Sequence, residues 1–127
     1  MTRIVCDRHG CEAAKTGKDA PRPEGASGHC RVGFLIKGHA GFAQPGEEDV
    51  VCAGISMLVC TLSECLEEYE TMGYVQAVCR KIDPGNVDIA FYTLDHRATV
   101  SVMLDTILTG FRLLQEKYPE NVVVEMK

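Results

Sequence analysis

An α+β fold, a mostly antiparallel sheet with two helices packed on one face, is predicted by three observations. Two long segments, 50–69 and 95–118, repeat apolar residues three and four apart. Short alternating or β-branched segments lie at 2–6, 30–38, 74–82, 87–93 and 121–127. The resulting order, strand, strand, helix, strand, strand, helix, strand, pairs neighbouring strands by hairpins and leaves the helices to cover one side.

"TRIVC" is short and β-branched, and "CRVGFLIKG" puts Val32, Phe34 and Ile36 on one face by strict alternation. Between them, 7–29 is rich in Gly, Pro, Ser and charge, too poor in apolar surface for a core, and is predicted to be a long irregular excursion. The first helix carries the stripe Val51, Ile55, Leu58, Leu62, Leu66, Tyr69, with Asp49 placed to cap its start. In "DPGN", Pro84 and Gly85 stand in the order of a type II turn, so 74–82 and 87–93 form a hairpin. The second helix carries Val100, Leu104, Ile107, Phe111, Leu114 and Tyr118 until Pro119 stops it. Asp95, His96 and Arg97 at its start suit an acidic cap and a solvated turn. "NVVVEMK" supplies the last strand.

A length of 127 residues suits one domain spanning 1–127. No apolar run reaches the roughly 18 residues that span a bilayer, and the N-terminus lacks an apolar leader segment, so a cytoplasmic protein without membrane attachment is expected. Its seven cysteines are then expected to be reduced thiols. Cys6, His9, Cys11, His29 and Cys30 invite a zinc reading, but their spacing fits no standard finger. Neither a metal nor a cofactor is expected: no GK[ST] phosphate loop occurs, and the Gly-x-Gly patterns lack the strand-turn-helix setting of a dinucleotide site. A net charge of −5 disfavours direct nucleic-acid binding and favours a basic partner. The uncovered sheet face favours a homodimer.

The chemistry concentrates in "GHAGFAQPGEEDVVCAGIS", residues 38–56. With Asp49 as cap, Cys52 falls in the first helical turn, where the positive end of the macrodipole favours an anion and so a nucleophilic thiolate. His39 follows a strand directly, and a loop containing Gly41 and Gly46 gives the chain freedom to return the imidazole to the helix start. Such a pair does covalent acyl chemistry, the histidine moving the proton and the thiolate attacking a carbonyl. The residues alone also permit an ordinary half-buried thiol and an idle loop histidine.

The whole string resembles the signature of the ribosomal-processing cysteine proteases, the Prp family: Gly-His-Ala, a Gly-containing acidic loop, Asp, two β-branched residues, then Cys-Ala-Gly and Ser. The resemblance extends in pattern over 30–127, with a loop one residue longer than the commonest spacing and a larger, cysteine-bearing N-terminal excursion. It implies His39 as base, Cys52 as nucleophile, Asp49 as cap and orienting carboxylate, Ser56 as a polar neighbour one turn behind the thiol, and Gly38 as a point of close backbone approach. It further implies a homodimer whose substrate is the precursor of large-subunit ribosomal protein 27, from which a short N-terminal extension is removed. The loop 40–48 is expected to close over the bound peptide. The alternative function is a binding module that holds a basic ribosomal protein or peptide without cutting it; an RNA-contacting factor is disfavoured by the acidic balance.

Overall fold

A computed structural model describes residues 1–9, 30–39, 41, 49–94 and 96–127. Its elements are β1 (Thr2–His9), β2 (Arg31–Lys37), α1 (Val50–Thr71), β3 (Val75–Asp83), β4 (Asn86–Thr93), α2 (Arg97–Lys117) and β5 (Val122–Met126). The strands form a sheet in the order β3-β4-β2-β1-β5. Pairing is antiparallel except between β1 and β5, which run parallel. The expected α+β architecture is the one observed.

β1 is longer than its sequence promised. Asp7, Arg8 and His9, assigned above to the irregular excursion, continue the strand opposite Gly33, Val32 and Arg31. Polar residues hold there because Arg8 donates to Asp105 of α2 at 2.9 Å, a partner that is far away in sequence. The remainder of the excursion, with Cys11 and His29 of the zinc reading, lies outside the described residues. Cys6 of that reading is fully buried in the core. Cys30 is disulfide-bonded, against the expectation of reduced thiols throughout.

The core lies between the sheet and the two helices. Val32, Phe34 and Ile36 of β2 and Val87, Ile89 and Phe91 of β4 point into it. α1 contributes Val51, Ile55, Val59, Leu62 and Leu66; α2 contributes Val100, Met103, Leu104, Ile107, Leu108 and Phe111. Phe34 and Phe111 meet with ring centroids 6.5 Å apart, tying α2 to the sheet. By length and composition alone α1 would suffice to cross a bilayer. Its buried stripe nevertheless faces the sheet, as in the core helix of a globular fold.

α2 begins differently from expectation. Asp95 lies outside the described residues, and the capping position falls on His96, which adopts a left-handed conformation (φ 65°) without a side-chain capping bond. Its ring stacks on Tyr74, with centroids 4.2 Å apart. On the sheet's other face, register aligns Glu125, Val5, Leu35, Asp88 and Lys81 in one row across all the strands. Leu35 is exposed there.

Candidate active site

Asp49 caps α1 as its position required. Its Oδ1 accepts hydrogen bonds from the backbone N–H groups of Val51 (3.0 Å) and Cys52 (2.9 Å), and its carbonyl accepts the N–H of Ala53 at 3.0 Å. Cys52 therefore sits in a first turn that is ordered by the residue three before it. The thiol is half-buried, at the margin of the apolar stripe, and its flank of the helix continues through Ser56 and Cys60.

His39 reaches the site from the end of β2. Its neighbour Gly38 has φ 91°, and a Cβ there would stand 2.4 Å from the Met1 carbonyl oxygen, so glycine is required on both counts. The close backbone approach expected at Gly38 is thus made, and the backbone approached is that of Met1. The Gly38 N–H donates to the Gly85 carbonyl at 3.0 Å, and the His39 imidazole lies against the α-carbon of Gly85. The Lys37 ammonium, one residue earlier, donates to Asn86 Oδ1.

Gly38, His39, Cys52 and Ser56 line one cleft of about 400 Å³. One wall is α1 with Cys52, Ser56 and Cys60; the other is the tip of the β3–β4 hairpin; Ile36, Ile55 and Val87 form an apolar floor. The structure thereby brings together four of the residues singled out in the sequence. Asp49 lies outside this lining, and its cap bonds to Val51 and Cys52 order the helix start. Gly41 also lies outside it, exposed and at φ 65°. The expected closure of 40–48 concerns residues that, Gly41 apart, lie outside the described ones.

The hairpin tip is the part that sequence reasoning missed. "DPGN" was legible as a turn, but its place beside His39 follows from the β2–β4 register, in which Lys37 is opposite Asn86. A strand's end that is paired beside a hairpin's tip must deliver its next residue onto the turn.

Two thiols away from the cleft are held in their protonated form. Burial pushes the Cys6 thiol above its ordinary value, with Arg8 opposing only in part. Burial also pushes up Cys65, aided by the carboxylates of Glu68 and Glu64. Both are thereby disfavoured as thiolates.

A thiol in the first turn of a helix and an imidazole lining the same apolar groove are the equipment of a cysteine hydrolase. Residues 26–123 match the family described as Cysteine protease Prp. The chain belongs to that family and is a cysteine protease. Among curated proteins, none matches it. Solved structures sharing its fold include the essential ribosomal processing protease Prp from S. aureus with a covalently linked product peptide (TM-score 0.61, 17% identity, 100% of both chains). The same protease with a substrate peptide gives a TM-score of 0.58 at 17% identity over 100% of both chains. SMU.848 from Streptococcus mutans gives 0.56 at 20% identity, covering 99% of this chain and 93% of that one.

Proposed function

We propose that the chain is a ribosomal-processing endopeptidase that removes a short N-terminal extension from the precursor of large-subunit ribosomal protein 27, with His39 and Cys52 as its catalytic pair. The observation that carries this reading is the shared cleft: the imidazole and the thiol line one groove whose apolar floor suits a peptide side chain. Membership of the protease family supplies the reaction class.

In the reaction His39 takes the proton from Cys52 Sγ, and the thiolate adds to the scissile carbonyl carbon. As the tetrahedral intermediate collapses, the C–N bond breaks and the imidazolium protonates the departing amine, leaving a thioester. Water, deprotonated by His39, then adds to the thioester carbonyl and expels the thiolate, which recovers the proton. Asp49 keeps the first turn of α1 wound throughout.

The acidic balance, −5 over the chain, favours encounter with a basic ribosomal protein by attraction that fades with salt. The chain is proposed to act in the cytoplasm as a homodimer, with the helix-free sheet face around Leu35 as the surface available for pairing. Incubation with the precursor protein, followed by intact-mass measurement, tests the assignment. Two fragments whose masses sum to the precursor plus one water are expected, and their absence with Cys52→Ala. Binding without fragments would reject this precursor as the protease's substrate.

A further inference from the structure

We propose that Gly85, at the tip of the β3–β4 hairpin, is a positioning residue that seats the His39 imidazole in the cleft. The inference rests on the reading of His39 as the catalytic base.

Gly85 acts on His39 in two ways. Its carbonyl accepts the Gly38 N–H at 3.0 Å, fixing the backbone immediately before the histidine. Its bare α-carbon forms the surface under the ring: a Cβ built there would stand 2.7 Å from His39 Nε2, 2.9 Å from Cε1 and 3.3 Å from Cδ2. These distances lie inside van der Waals contact, so a side chain at 85 and the ring in its present place are mutually exclusive. His39 is exposed, and a terminal ring moves more easily than backbone. The fold would therefore accommodate a side chain at 85 by letting the imidazole swing away. The contact is part of the cleft itself, because Pro84, Gly85 and Asn86 line it together with His39 and Cys52.

Gly85 also has φ 70°, so any substitution strains the backbone regardless of the ring. The molecule contains a control for that strain. Gly73, in the turn between α1 and β3, has φ 81°, and a Cβ there meets nothing within 4 Å among the described residues. Gly73→Ala thus reproduces the backbone strain without touching His39. Gly85→Asn provides the converse: asparagine tolerates positive φ better than alanine, yet its Cβ still occupies the ring's place.

The experiment compares wild type, Gly85→Ala, Gly85→Asn and Gly73→Ala by thermal melting, by NMR of ring-labelled histidine, and by the pH dependence of Cys52 alkylation with iodoacetamide. Wild type should show a nuclear Overhauser effect between the His39 ring and the Gly85 α-protons. Both Gly85 variants should lose the native His39 ring shifts and change the Cys52 rate–pH profile, with a fall in kcat of about tenfold or more from the displaced base. Gly73→Ala should melt lower, like Gly85→Ala, while keeping the native ring shifts and alkylation profile. Native ring shifts in Gly85→Asn, the same changes in Gly73→Ala, or no Overhauser effect in wild type would each overturn the proposal. Native histidine behaviour in Gly85→Asn, together with wild-type cleavage that His39→Ala abolishes, would reject the positioning role and leave the protease assignment standing. Ring displacement in a protein that cleaves no precursor would do the reverse.

Discussion

Replacing Asp49 by alanine removes two hydrogen bonds at once, because Val51 N–H and Cys52 N–H both end on Oδ1. Losing an acidic N-cap costs about 1 kcal/mol, and about 2 kcal/mol at the upper end. With about 2.1 cal/mol/K of unfolding entropy per residue over 127 residues, each kcal/mol corresponds to about 4 °C. Asp49→Ala should therefore lower the melting midpoint by about 4 to 8 °C. Asp49→Asn keeps an oxygen acceptor at the same place and loses only the charge–dipole contribution, about 0.3 to 1 kcal/mol, or about 1 to 4 °C. Calorimetry on the three proteins at one pH and salt concentration measures the order, wild type above Asn above Ala. Cleavage should follow the same order, since fraying of the first turn loosens the thiol. An alanine variant melting within 1 °C of wild type, an effect below about a quarter of the cap's expected worth, would refute the capping account. If Asp49 acted instead by orienting His39, Asp49→Asn would lower kcat and alter its pH profile while leaving the melt near wild type.

Cys52→Ala and His39→Ala should each abolish cleavage of the precursor while preserving the circular dichroism spectrum, and turnover at the wild-type rate by either would remove that residue from the mechanism. Under brief iodoacetamide treatment near neutral pH, Cys6 and Cys65 should lag behind Cys52, because burial, and at Cys65 also Glu68 and Glu64, keep them protonated; His39→Ala should slow Cys52 and leave exposed Cys60 and Cys79 unchanged, as peptide mapping would show. These raised thiol values in the folded state mean that it holds protons longer than the unfolded chain, so stability should fall as pH rises past the ordinary thiol value of about 8.5, and Cys65→Ser should flatten part of that fall. Phe111→Ala, which empties a fully buried position against Phe34, should cost about 3 to 5 kcal/mol in denaturant titration.

What the sequence disclosed was whatever has a local cause. Phe34 and its alternating neighbours face the core because a strand has period two, and Ile55, Leu62 and Leu66 do so because a helix turns every 3.6 residues. Asp49 was legible as a cap because its oxygen needs only the two amides just ahead of it. Where the cause is tertiary, local rules failed. Arg8 looked like loop because its partner Asp105 is on another element. His96 could not be foreseen as a left-handed cap, since non-glycine residues seldom adopt that conformation and its stacking partner Tyr74 is far away in sequence. The direction of β5 depends on the parallel pairing with β1, for which composition carries no sign.

The site divides along the same line. Cys52 and Asp49 belong to one helix start, so their relation was fixed once the helix was read. His39 belongs to a strand's end, and neither its loop nor its neighbours in sequence determine where the imidazole rests. That is decided by strand order: β4 pairs with β2 so that Lys37 lies opposite Asn86, bringing the turn residue Gly85 under the ring and its carbonyl to the Gly38 amide. A one-residue slip in that pairing would move Val87, Ile89 and Phe91 off the core face. The apolar pattern that closes the core therefore also sets the register that places the base. It follows that the strand end carrying the base is held by the core register, the ring itself by Gly85, and the thiol by one carboxylate at the start of α1. Changes at Gly85 should therefore reach the His39 ring directly, as changes at Asp49 should reach Cys52.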